Sequence, residues 1–222
     1  MKEYRFELIL GAILLAVFVG VSTFQSTSTL TKAEVDRYIA TLEKSLPVDW
    51  EERAEFIARL RAWGESDDGQ PVYMLNVMRF FDQVKPMPGV PASMKPSEAN
   101  ALYEAGATPL LFKSGGYPLI GGDSMRIAAG QKKSNLIVHE AELDNWDRVL
   151  VVRYPGRRTF FELVTNPEYL KVMPYKLASL KVVLTPVKGD MVIPDLRWVV
   201  GGACLAIFLL VGWVRATRRA AR

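Results

Sequence analysis

The chain has 222 residues, with 28 Lys and Arg, 24 Asp and Glu, one His and one Cys. Six of the basic residues and two of the acidic ones lie at the chain ends, so residues 8–214 carry 22 basic and 22 acidic side chains. A neutral body excludes nucleic acid as a partner, because phosphate binding needs basic side chains clustered on the folded domain. One Cys and one His exclude an internal disulfide and an ordinary Cys/His zinc site, and we expect no metal and no cofactor.

An apolar run at residues 8–24 opens the chain, and it predicts a first transmembrane helix over residues 6–24. Small residues recur at every fourth position of this run and suit close packing of helices in a membrane: Ala12, Ala16 and Gly20. Lys2 and Arg5 before the run also fit a signal peptide. No A-x-A-type cleavage site follows, which favours the uncleaved anchor over the signal peptide.

Residues 25–70 follow as a Ser/Thr-rich linker and two amphipathic helices. Thr31 and Glu34 have the spacing of a capping box, which predicts the start of the first of these helices. A second start signal at Asp49 predicts a helix that runs to about Trp63. We expect the two helices to form a hairpin or a stalk between the membrane and the following domain.

The central domain is predicted over residues 71–188, with its elements in this order: a strand at 71–81, a helix from Pro96 that ends before Pro109, a short strand between glycine turns at 115–122, a strand or hairpin at 124–139, a strand at 146–155, helices at 157–164 and from Asn166-Pro167, and a strand at 180–187. This order is the βαββαβ pattern of an α+β, ferredoxin-like fold. Helices on one face of such a sheet leave the other face to be covered, so we expect a homodimer.

A second apolar run predicts a transmembrane helix at residues 196–214, in which Gly202 and Ala206 are candidates for helix packing. A basic tail follows at 215–222. Basic residues flanking both runs place both termini in the cytoplasm. The expected topology is two-pass in a bacterial inner membrane, with the main domain in the periplasm.

Several stretches, PVYMLNVMRF, GGYPLIGG and WDRVLVVRYPGRRTFFELVTNPEYLKVMPYKLASL among them, resemble the domain-of-unknown-function family numbered one-three-three-zero, within the dimeric α+β barrel superfamily. The residues that stand in the family's places are Trp146, Asp147, Tyr154, Pro155, Arg157, Phe160, Pro167 and Tyr169. The resemblance implies sheets that pair in a dimer and a small-molecule cleft between sheet and helices. It implies no reaction, and the chain has Met173-Pro174-Tyr175-Lys176 where members carry a His-Arg-type pair.

His139 is the single histidine and therefore the candidate acid or base. Acidic residues surround it, which is compatible with a mononuclear metal site: Glu140, Glu142, Asp144 and Asp147. Their spacing matches no metal motif, so a solvated hairpin is the favoured interpretation.

Five polar residues in otherwise apolar segments are candidates for a ligand pocket: Asn76, Arg79, Tyr103, Tyr154 and Arg157. Polar groups buried among apolar ones need partners, so they either bind neighbouring backbone groups or face a polar ligand. Local satisfaction is the favoured alternative because it is the common role of buried polar groups.

Two hypotheses for function remain. The favoured one is a membrane-anchored periplasmic interaction or assembly module, as a dimer or as a subunit of a complex, whose partners are the bilayer and other membrane proteins. The alternative is a small-molecule-binding protein or cofactor-independent enzyme that uses the cleft. An open cleft above about 300 Å³ with convergent polar groups would favour the alternative.

Overall fold

The computed structural model describes residues 5–220 apart from 49, 128–133, 139, 191, 193 and 195. The chain divides into two units, residues 1–188 and residues 189–222. The elements of the first unit are α1 (Arg5–Phe24), α2 (Lys32–Ser45), α3 (Arg53–Glu65), β1 (Val72–Phe80), α4 (Pro96–Lys113), β2 (Tyr117–Asp123), β3 (Arg148–Tyr154), α5 (Arg157–Val164), α6 (Pro167–Ser179) and β4 (Leu180–Lys188). The second unit contains α7 (Leu196–Ala220).

The four strands form one antiparallel sheet in the order β2-β3-β1-β4. Asn76 on β1 lies opposite Leu150 on β3 and Leu184 on β4, which fixes the register at the centre of the sheet. The connection from β1 to β2 contains α4, and the connection from β3 to β4 contains α5 and α6. The predicted α+β class is therefore confirmed, and so is the alternation of strands and helices outside residues 124–139.

Side chains of β1 alternate between the two faces of the sheet. Four of them are buried and face the helices: Val72, Met74, Asn76 and Met78. We call this face the inner face. Tyr73, Leu75, Val77 and Arg79 lie on the opposite, outer face and are half-buried.

The helices α2 and α3 share the core of the sheet domain. Phe161 of α5 is fully buried and stacks on Tyr38 of α2, with ring centroids 5.6 Å apart. The predicted capping box begins α2, since the Thr31 hydroxyl accepts a hydrogen bond from the Glu34 amide and the Glu34 carboxylate accepts one from the Thr31 amide. Residues 25–70 are therefore packed against the sheet domain rather than standing apart as a stalk.

The prediction that the first helix of the central domain ends before Pro109 is wrong, because α4 continues through Pro109 to Lys113. A proline removes one backbone donor from a helix, and the packing of α4 outweighs that loss. Gly106 lies so close to α6 that an added Cβ would come within 2.7 Å of Val172. Gly115 follows two residues after the end of the helix, and its φ of +87° is the left-handed conformation typical of the residue after a helix C-cap.

Two further details of the prediction differ from the structure. Gly121 and Gly122 lie inside β2 rather than in a turn, and the strand has an irregular register between Pro118 and Ile120. No strand forms in the described parts of residues 124–139. Asp144 holds part of this segment, since its carboxylate accepts hydrogen bonds from the Ser134 hydroxyl at 2.7 Å and the Asn135 amide at 2.9 Å.

In the second unit, the stretch Val199–Arg218 of α7 has a mean hydropathy of 2.0 and is long enough to cross a membrane. The helix continues to Ala220, so the predicted tail at 215–222 is largely helical. In the first unit, α1 provides a shorter apolar stretch, Ile9–Phe24. Among the described residues, α7 alone has the length and hydropathy of a span, and the span at residues 6–24 stays a prediction.

The small residues predicted to pack helices in the membrane are exposed on their helices: Ala12, Ala16 and Gly20 on α1, and Gly202 and Ala206 on α7.

Candidate functional site

A cavity of about 600 Å³ lies between the inner face of the sheet and the helices. The sheet contributes Met74, Asn76, Met78, Leu150, Val152 and Tyr154. Helices α4 and α6 contribute Asn100, Tyr103, Glu104, Tyr169, Met173 and Lys176. The N-terminal helices and their connection add apolar side chains, among them Leu42, Leu46, Trp50 and Phe56. The wall is thus mainly apolar, with polar groups from α4 and α6 and charged groups from α3 and the loop after β1.

Tyr103 and Tyr169 join α4 to α6 across the cavity wall. Their hydroxyl oxygens are 2.9 Å apart, and their rings meet edge to face with centroids 5.9 Å apart. Burial raises the pKa of both phenols, as it raises the pKa of Tyr154. All three are therefore neutral near pH 7, and each hydroxyl can donate one hydrogen bond and accept others.

Lys176 lies beside this tyrosine pair, with its Nζ 5.2 Å from the centroid of the Tyr103 ring. Burial lowers the pKa of Lys176 to about 8, and the Glu104 carboxylate opposes that shift. The amine is therefore still mostly protonated at pH 7. Within the described residues, no hydrogen bond or ion pair engages this ammonium group; its contact is with the Tyr103 ring.

The Glu104 carboxylate already has a cationic partner. Its Oε1 lies 2.6 Å from Nη1 of Arg148 on β3, and the Nε of Arg148 lies 3.2 Å from Oδ1 of Asp123. This chain of charges ties α4 to the edge of the sheet, so Glu104 is partly neutralised where it meets the cavity.

Two asparagines line the cavity and differ in their hydrogen bonding. The Asn76 side chain is buried and donates to the carbonyl oxygens of Met74 at 3.1 Å and Leu150 at 3.3 Å. Asn100 is 3% exposed, and no side-chain hydrogen bond to it is found among the described residues. Asn76 is thus satisfied by the strands, while the Asn100 amide faces the cavity with its hydrogen-bonding capacity unused.

Three of the five predicted pocket residues line the cavity, namely Asn76, Tyr103 and Tyr154. Arg79 does not, because strand alternation turns it to the outer face, opposite to Asn76. Its guanidinium donates to the carbonyl oxygens of Asn145, at 2.7 Å, and Asp144, and it lies over the Trp146 ring.

Arg157 also lies outside the cavity. It begins α5 and turns toward the end of α3, where its Nη1 donates to the carbonyl oxygen of Trp63 at 2.6 Å and to the hydroxyl of Ser66 at 2.8 Å. The carboxylate of Asp67 lies 3.7 Å from its Nε. The contacts of both arginines are structural.

His139, the predicted acid or base, lies outside the described residues. Two of the acidic residues predicted around it accept hydrogen bonds from backbone amides. Asp144 accepts one from Asn135, and Asp147 accepts one from Phe80 at 2.7 Å. In the part of the chain that the structure describes, no three His, Cys, Asp or Glu side chains come together to hold a metal ion.

Sequence reasoning missed Asn100 and Lys176. A signal for Lys176 exists, because Tyr169, Met173 and Lys176 have the i, i+4, i+7 spacing of one helix face. Asn100 and Tyr103 have the corresponding i, i+3 spacing on α4. Each spacing indicates one face of one helix, and only the packing of α4 against α6 shows that the two faces form a common site.

The fold is similar to that of RPA0582, a protein of unknown function from Rhodopseudomonas palustris, with a TM-score of 0.50, 23% identity, and coverage of 67% of this chain and 97% of that chain. The methylated RPA0582 protein matches similarly, with a TM-score of 0.50, 22% identity, and coverage of 68% of this chain and 96% of that chain. No family model matches the chain, and no curated protein matches it. These similarities show the shared fold, and the resemblance to the family numbered one-three-three-zero stays a prediction.

Proposed function

We propose that this protein binds a small, mostly apolar molecule in the cavity between the sheet and the helices. The observation that carries the proposal is the cavity itself, about 600 Å³ with polar groups converging from α4 and α6. Ligand sites in proteins have volumes of about 300–1,000 Å³, mainly apolar walls and a few placed polar groups.

The size of the cavity argues against a packing defect. Protein interiors are close-packed, with few voids larger than a water molecule. Exposed charged side chains, such as Glu55, Arg59 and Lys85, also line this space, so it is a cleft that a molecule can enter from solvent rather than a closed void.

We further propose that the domain is a ferredoxin-like α+β barrel domain tethered to a bacterial inner membrane. The strand order β2-β3-β1-β4 with helical connections on one face supports the first part. The apolar stretch of α7 supports the tether.

The two-pass topology, with both termini cytoplasmic and the domain periplasmic, rests on the basic residues at the chain ends. A periplasm-active reporter fused after Arg222 is expected to be silent, and activity there would refute this orientation.

A second candidate function is an interaction module, and the outer face of the sheet favours it. This face carries the half-buried Leu75 and Val77, and Val183 and Val187 beside them are 45% and 46% exposed. We propose a second copy of the chain as the partner, in line with the sheet pairing that the family resemblance implies. A homodimer on the outer face leaves the cavity on the inner face free, so the two candidates are compatible.

A neutral fluorophore that brightens in apolar surroundings tests binding in the cavity. We expect saturable binding to the full-length protein in lipid nanodiscs, above the signal of empty nanodiscs. Ala107 is 7% exposed and lines the cavity, so Ala107→Trp fills the space and is expected to abolish binding. Ala101→Trp on the exposed side of the same helix is the matched control and should bind normally. Equal binding by both variants, or no saturable binding at all, would refute the proposal.

A further inference from the structure

We propose that the cavity takes a monocarboxylic acid with an apolar body, and that Lys176 and Asn100 bind its carboxylate. The inference rests on the proposed function, because it names the chemical class of the occupant. Hydrocarbon fits the sheet side, where Met74, Met78 and Leu150 line the cavity.

Asn100 provides the first observation. It is 3% exposed on the cavity side of α4, and within the described chain nothing hydrogen-bonds its amide. Because Asn100 lines the cavity, its side-chain amide is available to a molecule bound there. An amide nitrogen is a donor, so an acceptor on the ligand would satisfy it.

Lys176 provides the second observation. Its ammonium group lies on the cavity wall, stacked over the Tyr103 ring at 5.2 Å, with no acidic partner in contact among the described residues. Burial lowers its pKa to about 8, and Glu104, which is paired with Arg148, offsets this effect only in part. A carboxylate in the cavity would supply an acceptor and a negative charge in contact with the ammonium group.

Both groups neighbour Tyr103 on the cavity wall. Asn100 and Tyr103 are one turn apart on one face of α4, and Lys176 contacts the ring of Tyr103. Two acidic residues of the wall have basic partners, which reduces their repulsion of a bound carboxylate. Glu104 is paired with Arg148 at 2.6 Å, and Glu55, on α3, is paired with Arg59 at 2.5 Å.

A further cation supports an acidic ligand. Lys85 lines the same cavity from the loop after β1, and its backbone amide donates to the carbonyl oxygen of Ala178 at the end of α6. Its exposed ammonium group lies 4.5 Å from the centroid of the Phe81 ring. Glu52, at the start of α3, is an exposed acidic residue of the wall. Lys181, just after α6, lines the cavity as well, so three lysines contribute to the wall.

Equilibrium dialysis of labelled decanoate and decanol against the full-length protein in zwitterionic nanodiscs tests the inference, with empty nanodiscs subtracted. The acid should bind at least about tenfold more tightly than the alcohol, because an ion pair with hydrogen bonds distinguishes them. Lys176→Met keeps the apolar stem and should weaken decanoate binding about tenfold while leaving decanol binding within about twofold. Asn100→Leu should weaken decanoate binding by about three- to tenfold.

Two further variants control for folding. Lys171→Met removes an exposed lysine of the same helix and should leave both affinities unchanged. Lys176→Arg keeps the charge and should retain decanoate binding within about threefold. If Lys176→Met misfolds, the comparison of acid with alcohol on the unaltered protein still decides the question.

Equal affinity for acid and alcohol, or an unchanged decanoate affinity in a folded Lys176→Met variant, overturns the inference. Binding of the neutral fluorophore without binding of any acid also overturns it, while leaving the proposed function intact. If neither binds, both fail. Palmitate supplied in the nanodisc bilayer and naphthoate supplied in solution then distinguish a membrane-derived acyl acid from a soluble aromatic one, and Lys176-dependent binding of either supports the inference.

Discussion

Replacing Phe161 with alanine tests whether the N-terminal helices and the sheet form one cooperative unit. Phe161 is fully buried on α5 and contacts the rings of Tyr38 on α2 and Trp63 on α3, with centroids 5.6 Å and 5.9 Å away. Gly64 lies close enough that an added Cβ would be 3.0 Å from the Phe161 ring. One side chain therefore fills the junction of three helices.

The expected loss follows from this packing. A buried Phe→Ala change costs about 3–5 kcal/mol, and aromatic pairs add about 0.5–1.5 kcal/mol each beyond their buried area. We therefore expect a loss of about 4–5 kcal/mol from Phe161→Ala. For a chain of this size, that corresponds to a fall in Tm of about 8–20 °C.

Thermal denaturation followed by near-UV and far-UV circular dichroism measures this loss. Near-UV signals report the aromatic cluster, and far-UV signals report all helices, so one cooperative unit gives coincident transitions. Phe112→Ala is the matched control, because Phe112 is 53% exposed on α4 and its loss should cost at most about 1 kcal/mol. A loss below about 1.5 kcal/mol for Phe161→Ala, or separate transitions in the unaltered protein, would refute the reasoning.

Three other variants test local interactions. Gly115→Ala should lower the free energy of unfolding by about 1 kcal/mol in urea titrations, because φ is +87° at this position and alanine disfavours it; no change would show that α4 ends differently. Hydrogen bonds from Arg158 and then Thr31 hold the pKa of Glu34 below its usual 4.5. A lowered folded-state pKa gives stability that is present above the unfolded-state pKa and is lost as pH falls from that pKa to the folded-state pKa. Glu34→Gln should therefore flatten the decline of Tm below about pH 5, and an unchanged profile would contradict this. Tyr103→Phe leaves the Tyr169 hydroxyl without its 2.9 Å partner and should cost about 1 kcal/mol, most of which the double Phe variant should recover in a double-mutant cycle.

The elements with strong local signals were predictable from the sequence. The helix at 157–164 and the strand at 180–187 agree with the structure to within one residue. Alternation along β1 correctly separated Asn76 from Arg79, and that separation alone could have removed Arg79 from the list of pocket residues. The prediction failed where residues were grouped by type rather than by face.

The predictions that were wrong concern features that depend on tertiary packing. Pro109 is a strong helix breaker locally, yet α4 continues because Gly106 allows it to lie against α6. Arg157 was a candidate pocket residue, but its partners lie at the end of α3, more than eighty residues earlier in the chain. No local pattern carries information about contacts at that separation.

The side chains that stabilise the helices and those of the proposed binding site lie in different parts of this domain. Trp63 and Phe161 join α3 to α5 and are not among the residues that line the cavity. Asn100 and Lys176, whose side-chain polar groups have no hydrogen-bond partner among the described residues, belong to α4 and α6. Because sites without shared contacts act nearly additively, Phe161→Ala should lower stability without changing ligand selectivity, and Lys176→Met should do the reverse. Polar groups that line a cavity without a protein partner can bind a ligand, which is what the proposed site requires.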